Sequence, residues 1–196
     1  MILDAAGLRA RLKRGTPPAS SVYGDDDANR QALAVVPASV LVPVVDHAGG
    51  LTVLFTLRTP HLRAHSGQVS FPGGRAEPAD PTPEATALRE TEEEIGLAAA
   101  RVEVIVRMPE YLTRTGFRVT PVVGLVAPPL ALVPDAREVA EVFEVPLAFL
   151  LDPANHRRET RELAGRTVAY YVLQYEERRI WGATAGMVVN LYRMLT

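Results

Sequence analysis

The spacing of apolar positions changes several times along the chain, and each change marks an element. Ile2, Leu3, Leu8 and Leu12 recur at roughly helical spacing, which predicts a leading helix over residues 2–14. A Gly-Pro-Ser segment and the acidic stretch GDDDANR follow and read as a loose connector. The β-rich runs ALAVVPASVLVPVVD and LTVLFTLR, joined by HAGG, predict a hairpin. VEVIVRM and VTPVVGLVA predict two more strands, and EVAEVFEVPLAFLL a short helix or turn leading into a buried segment. TVAYYVLQY predicts a further strand and ATAGMVVNLYRML a closing amphipathic helix. Strands before and after one central helix, with helices at both termini, predict an α/β (α+β) fold whose mixed sheet is covered on both faces.

The central helix has clear ends. Thr82 suits the N-cap, Pro83 the first helical position, Glu84 the first turn, and Gly96 the left-handed position beyond the last, which frames a helix over residues 83–95. At about 100° per residue, Glu90, Glu93 and Glu94 fall on one arc while Glu92 points elsewhere. Leu88, Thr91 and Ile95 form a separate strip able to pack on a sheet. Acids crowded at a helix C-terminus repel one another and the helix dipole, at a cost of a few tenths of a kcal/mol per pair. A bound cation would offset that cost, and a cluster of carboxylates is a hard oxygen site suited to magnesium or manganese. The competing reading is a solvated acidic face.

Composition narrows the partners. The 196 residues are 47% hydrophobic and 22% charged, as expected for one globular domain with a sizeable core. A formal net charge of -2 and a pI near 6.1 provide no global positive field for nucleic acid or an anionic membrane, so a polyanionic substrate must be held locally. The absence of cysteine excludes disulfides, Cys-ligated zinc and thiol catalysis. Charges at Asp4, Arg9, Arg11, Lys13 and Arg14 argue against a secretory leader, and the longest apolar runs fall short of the ~20 residues of a membrane helix. A soluble, cytoplasmic protein is expected.

Upstream of the helix, Pro72, Gly73 and Gly74 form a turn that leaves its backbone open to close approach. Together with the helix, Gly74, Arg89, Glu90, Glu93, Glu94, Gly96 and Leu97 resemble the signature box of the Nudix hydrolases. Asp80 stands where that box has Glu, with eight residues before Arg89 rather than seven, and Thr91 fills an apolar slot. The resemblance implies a Nudix-like α/β/α sandwich with a loop-helix-loop motif; one domain is expected over residues 1–196, in which 1–30 form the N-terminal helix and connector. It also implies Mg2+- or Mn2+-dependent hydrolysis of a diphosphate linked to a further group. Glu90 and Glu94 would be metal ligands, Glu93 a third ligand or the base for the attacking water, and Arg89 the residue that orients them.

The stretch LFTLRTPHLRAHSGQVSFPGG resembles the coenzyme A pyrophosphatase branch through Leu54, Phe55, Thr56, Arg58, Arg63, Gly67, Phe71, Pro72, Gly73 and Gly74, and the likeness runs from about residue 35 to the C-terminus. It implies a small coenzyme A-like dinucleotide substrate, touched by Arg58, Arg63, Phe71, Gly73 and Gly74 and cut into 4′-phosphopantetheine and adenosine 3′,5′-bisphosphate. Rival expectations are a pyrophosphatase for ADP-ribose or a related compound, and a non-catalytic nucleotide-binding module. Glu110, Glu138 and Glu141 are candidate further ligands or bases. His61, His65 and His156 read as metal ligands or as polar loop residues, Gly67 as structural and Trp181 as a core anchor.

Overall fold

The computed structural model describes residues 3–14, 35–60, 67–163 and 165–196. The predicted connector, Arg63, His61 and His65 lie outside them. In chain order the elements are α1 (Ala5–Arg14), β1 (Val36–His47), β2 (Gly50–Arg58), β3 (Val69–Ser70), β4 (Gly73–Arg75), α2 (Pro83–Ile95), β5 (Val102–Arg107), β6 (Tyr111–Leu112), β7 (Phe117–Val126), β8 (Val139–Pro146), α3 (Leu147–Leu150), β9 (Arg157–Leu163), β10 (Arg166–Tyr175), β11 (Arg178–Trp181) and α4 (Gly182–Leu195).

The main sheet runs β3-β2-β1-β7-β5, with β4 added to β1, β6 to β7 and β8 to β2. Its strands pair antiparallel except β1 and β7, which run parallel from Val36 opposite Phe117 to Val45 opposite Val126. The sheet is therefore mixed, as expected. Its β-branched strands carry apolar residues on both faces, the pattern of a sheet buried on both sides. On β1, Leu41 and Val45 enter a smaller core with Ala87 and Ile95 of α2, while Val42 and Val44 enter a larger one with Leu8 and Leu12 of α1, Leu147 of α3 and Leu191 of α4. A second antiparallel sheet, β9-β10-β11, packs against α4.

One prediction changes form. EVAEVFEVPLAFLL is mostly strand: β8 pairs with β2 from Thr52 opposite Pro146 to Arg58 opposite Val139, and only its end turns into the single helical turn of α3. Glutamates three apart at Glu138, Glu141 and Glu144 imitate a helix face, but a buried partner strand settles the conformation. Within the described residues the other predicted helices and strands form, with the leading helix starting at Ala5 and the first strand at Val36.

Helix α2 spans the predicted residues and is capped as predicted. Thr82 is extended (φ -147°, ψ 159°), its side chain accepts from the Ala85 N–H at 3.2 Å, and Gly96 is left-handed with φ 71°. Thr91 is buried in the strip beside Ala87 and Ile95, and its hydroxyl donates to the Ala87 carbonyl at 2.6 Å, so a polar residue fills the apolar slot without a lost hydrogen bond. The helix lies on β1, β4 and β7, which delivers its carboxylate end to Gly73 and Gly74; these two residues, predicted within a turn, instead open strand β4 because they pair with Val40 and Ser39 of β1.

Candidate metal and diphosphate site

Strand β4 pairs with β1 through Gly73 opposite Val40 and Gly74 opposite Ser39. A Cβ on Gly73, whose φ is 147°, would overlap the Ser39 carbonyl and the Val40 Cα, and a Cβ on Gly74 would overlap the Glu90 carboxylate. Glycine here lets the strand close on β1 on one side and lets Glu90 rest against bare backbone on the other.

Glu94 lies one turn beyond Glu90 and is buried, 6% exposed. The Gly73 N–H donates to its Oε2 at 3.1 Å. Burial pushes the Glu94 carboxyl up to about 7; the Gly73 hydrogen bond and Arg58 oppose that shift, and the charges of Glu138 and Glu90 add to it. Glu90 is also raised, mainly by burial, with Arg89 opposing and Glu93 and Glu138 adding. Two half-starved carboxylates thus stand side by side in a setting that disfavours their charge.

Arg89 is the hub of the site. Its Nε and Nη2 grip Asp80 at Oδ1 (3.1 Å) and Oδ2 (2.9 Å), while Nη1 donates to Glu90 Oε1 at 3.1 Å and Glu93 Oε2 at 3.0 Å, and Nη2 also reaches the Arg75 carbonyl at 3.0 Å. Asp80 further accepts from the Thr86 hydroxyl at 3.0 Å and the Glu77 N–H at 2.9 Å. The Arg89 hydrogen bonds hold the Asp80 carboxyl well below the usual carboxylate range, and Asp80 in turn raises Arg89. The longer loop and shorter acid at this position therefore produce an anchor for Arg89. Nothing in the spacing announced that, because the link depends on how the loop 76–82 folds back.

The structure separates the predicted carboxylate triplet. Glu90 and Glu94 face the glycine turn, whereas Glu93 is held by Arg89 with a side chain 61% exposed. Glu138 joins the first two from outside the helix: its charge acts on both, and Arg58 lies between it and Glu94, with Nη1 3.6 Å from Glu94 Oε1 and Nη2 4.0 Å from Glu138 Oε2. Of the other candidates, Glu141 pairs with Arg178 at 2.5 Å and Glu110 with Arg118 at 3.7 Å. His156 donates through Nε2 to the Leu150 carbonyl at 2.7 Å and packs edge-on to Tyr192, as a polar loop residue does. Gly67 has φ 66° in an exposed turn. Trp181 is half-buried at the start of α4 and packs edge-on to Tyr170.

Phe71 does not offer a substrate surface. It is 3% exposed and stacked on Phe55 at 4.8 Å between ring centroids, so the expected contact with a base or a pantetheine arm gives way to core packing. Arg58 likewise turns inward, toward Glu94 and Glu138, with its side chain 24% exposed.

Among the described residues no three carboxylate or histidine side chains already enclose one point as a finished metal site would. The donor set nonetheless fits a hard divalent cation: Glu90 and Glu94 supply carboxylate oxygens, Glu94 is buried and Glu90 half-buried, and the missing Cβ of Gly74 leaves the Glu90 oxygens beside open backbone.

A model of the NUDIX domain matches residues 35–170. NudL of Escherichia coli (strain K12), described as an uncharacterized Nudix hydrolase, is 40% identical over 164 residues, covering 83% of this chain and 84% of NudL. NudL of Escherichia coli O1:K1 / APEC shows the same identity and coverage. Among solved structures, the Nudix hydrolase RenU of M. smegmatis is 30% identical with a TM-score of 0.50, over 60% of this chain and 74% of RenU. A MutT/nudix family protein of Enterococcus faecalis shares the fold at 17% identity and a TM-score of 0.50, over 81% of this chain and 60% of its own.

Proposed function

We propose a specific reaction on one premise: the chain belongs to the Nudix hydrolase family, and so is a hydrolase of nucleoside diphosphate derivatives. The substrate is coenzyme A or a derivative, and water cleaves its diphosphate to give 4′-phosphopantetheine and adenosine 3′,5′-bisphosphate. One observation carries this reading. Arg58, Gly73 and Gly74, which belong to the stretch that resembles the coenzyme A branch, lie against the carboxylates Glu90 and Glu94 that resemble the family's box.

Glu90 and Glu94 would hold Mg2+ or Mn2+, which supplies charge neutralisation for the diphosphate and a lowered pKa for bound water. The remaining roles fall to residues whose positions are described. Arg89 fixes Glu90 and Glu93 from one guanidinium, and Asp80 fixes Arg89. Among the described residues Glu93 accepts from Arg89, and its side chain is largely open to solvent, so it is the candidate base that takes a proton from the attacking water. Gly73 and Gly74 keep side chains out of the space next to these groups.

Turnover of coenzyme A, dephospho-coenzyme A and ADP-ribose, each with Mg2+ and with Mn2+, tests the reading. Coenzyme A is expected to give the highest kcat/KM. Preference for ADP-ribose would leave the family role intact and overturn the substrate.

A further inference from the structure

Arg58 sits at the end of β2, and its surroundings are tied to the segment that carries Glu138. The Arg58 N–H donates to the Gln68 carbonyl at 3.0 Å, the Thr59 N–H to the Glu138 carbonyl at 2.9 Å, and the Thr59 hydroxyl to the Arg137 carbonyl at 3.1 Å. The side chain then reaches Glu94 at 3.6 Å and Glu138 at 4.0 Å, which are ion-pair separations and too long for hydrogen bonds. Its Nε is buried without a hydrogen-bond partner. Arg89, by contrast, uses all three of its guanidinium nitrogens in hydrogen bonds. Arg89 is locked, whereas Arg58 balances charge without being locked.

A buried carboxylate left without a counter-charge is strongly destabilising. Glu94 would be such a group without Arg58: the Gly73 N–H supplies one hydrogen bond, and Arg58 is the positive charge that faces it among the described residues. We propose that Arg58 is the resident counter-cation of this site, a positioning residue that keeps Glu94 and Glu138 together and neutralised until a divalent cation takes over that charge. The proposal rests on the reading of Glu94 as a cation ligand. It replaces the expected role of Arg58 as a substrate clamp, since the guanidinium points at carboxylates instead of toward solvent.

The test is thermal unfolding of Arg58→Met, Arg58→Lys, Glu94→Gln and the Arg58→Met/Glu94→Gln double variant, in chelator and in saturating Mg2+. In chelator, Arg58→Met is expected to lower Tm by about 4 °C or more, with Lys restoring most of the loss. The loss should largely vanish in the Glu94→Gln background, and Mg2+ should raise the Tm of Arg58→Met more than that of the native chain. An Arg58→Met loss that is equal with and without Mg2+, and equal with and without Glu94, would overturn the proposal and reduce Arg58 to packing. If Arg58→Met fails to fold in chelator, the double variant must fold for the proposal to stand. No response to Mg2+ in any variant would also remove the metal reading of Glu94, whereas equal responses remove only the role of Arg58.

Discussion

Glu94 combines a carboxylate, a buried position and a backbone donor from Gly73 of β4. In metal-free protein this has a defined pH signature. The ordinary value of 4.5 governs the unfolded chain, and burial pushes the folded value up to about 7. Between those values the folded state keeps a proton that the unfolded state has released, so rising pH favours unfolding. The stability is therefore complete below about pH 4.5 and declines by up to about 3 kcal/mol as the pH approaches and passes 7. Urea midpoints in chelator should fall across that window in the native chain and stay flatter in Glu94→Gln. Gly74→Ala places a methyl group on the Glu90 carboxylate, and should lower kcat/KM roughly 10- to 100-fold with a smaller loss of Tm than Gly73→Ala, whose Cβ would strike the β1 backbone.

Helix α2 was legible from the chain because its signals are local. Thr82, Pro83 and Gly96 act on neighbouring backbone groups, and the carboxylate arc follows from the helical repeat alone. The arc did not separate Glu93 from its two companions, because that division comes from Arg89 and from the glycine turn, both outside the helix periodicity. β8 was misread for a related reason: its acids at Glu141 and Glu144 fit a helix face, and only the long pairing with β2 makes it a strand. β3 and β4, of two and three residues, have no sequence signature at all and exist through their partners. Asp80 couples the loop before α2 to the helix through Arg89. Asp80→Ala should free Arg89 and lower both Mg2+ affinity by calorimetry and turnover by about 10- to 100-fold. An unchanged Mg2+ affinity would show that Arg89 holds Glu90 and Glu93 without that anchor.

Across the whole molecule, the mixed sheet divides two apolar cores and presents its glycine turn at the end of α2. Among the described residues no helix is long and apolar enough to cross a membrane. The balanced charge, -2 over 196 residues, leaves anion recognition to this one locality. The fold class and the identity of the carboxylate helix were readable from periodicity and capping, whereas the inward turn of Arg58 and the burial of Phe71 depend on tertiary packing that no spacing encodes. The proposed reaction is hydrolysis at the diphosphate of coenzyme A. Its most direct test is product analysis by mass after incubation of the purified chain with coenzyme A and Mg2+ or Mn2+ in isotopically labelled water. The predicted result is 4′-phosphopantetheine and adenosine 3′,5′-bisphosphate, with one labelled oxygen on the phosphate of one product. Coenzyme A recovered intact with both metals would contradict it.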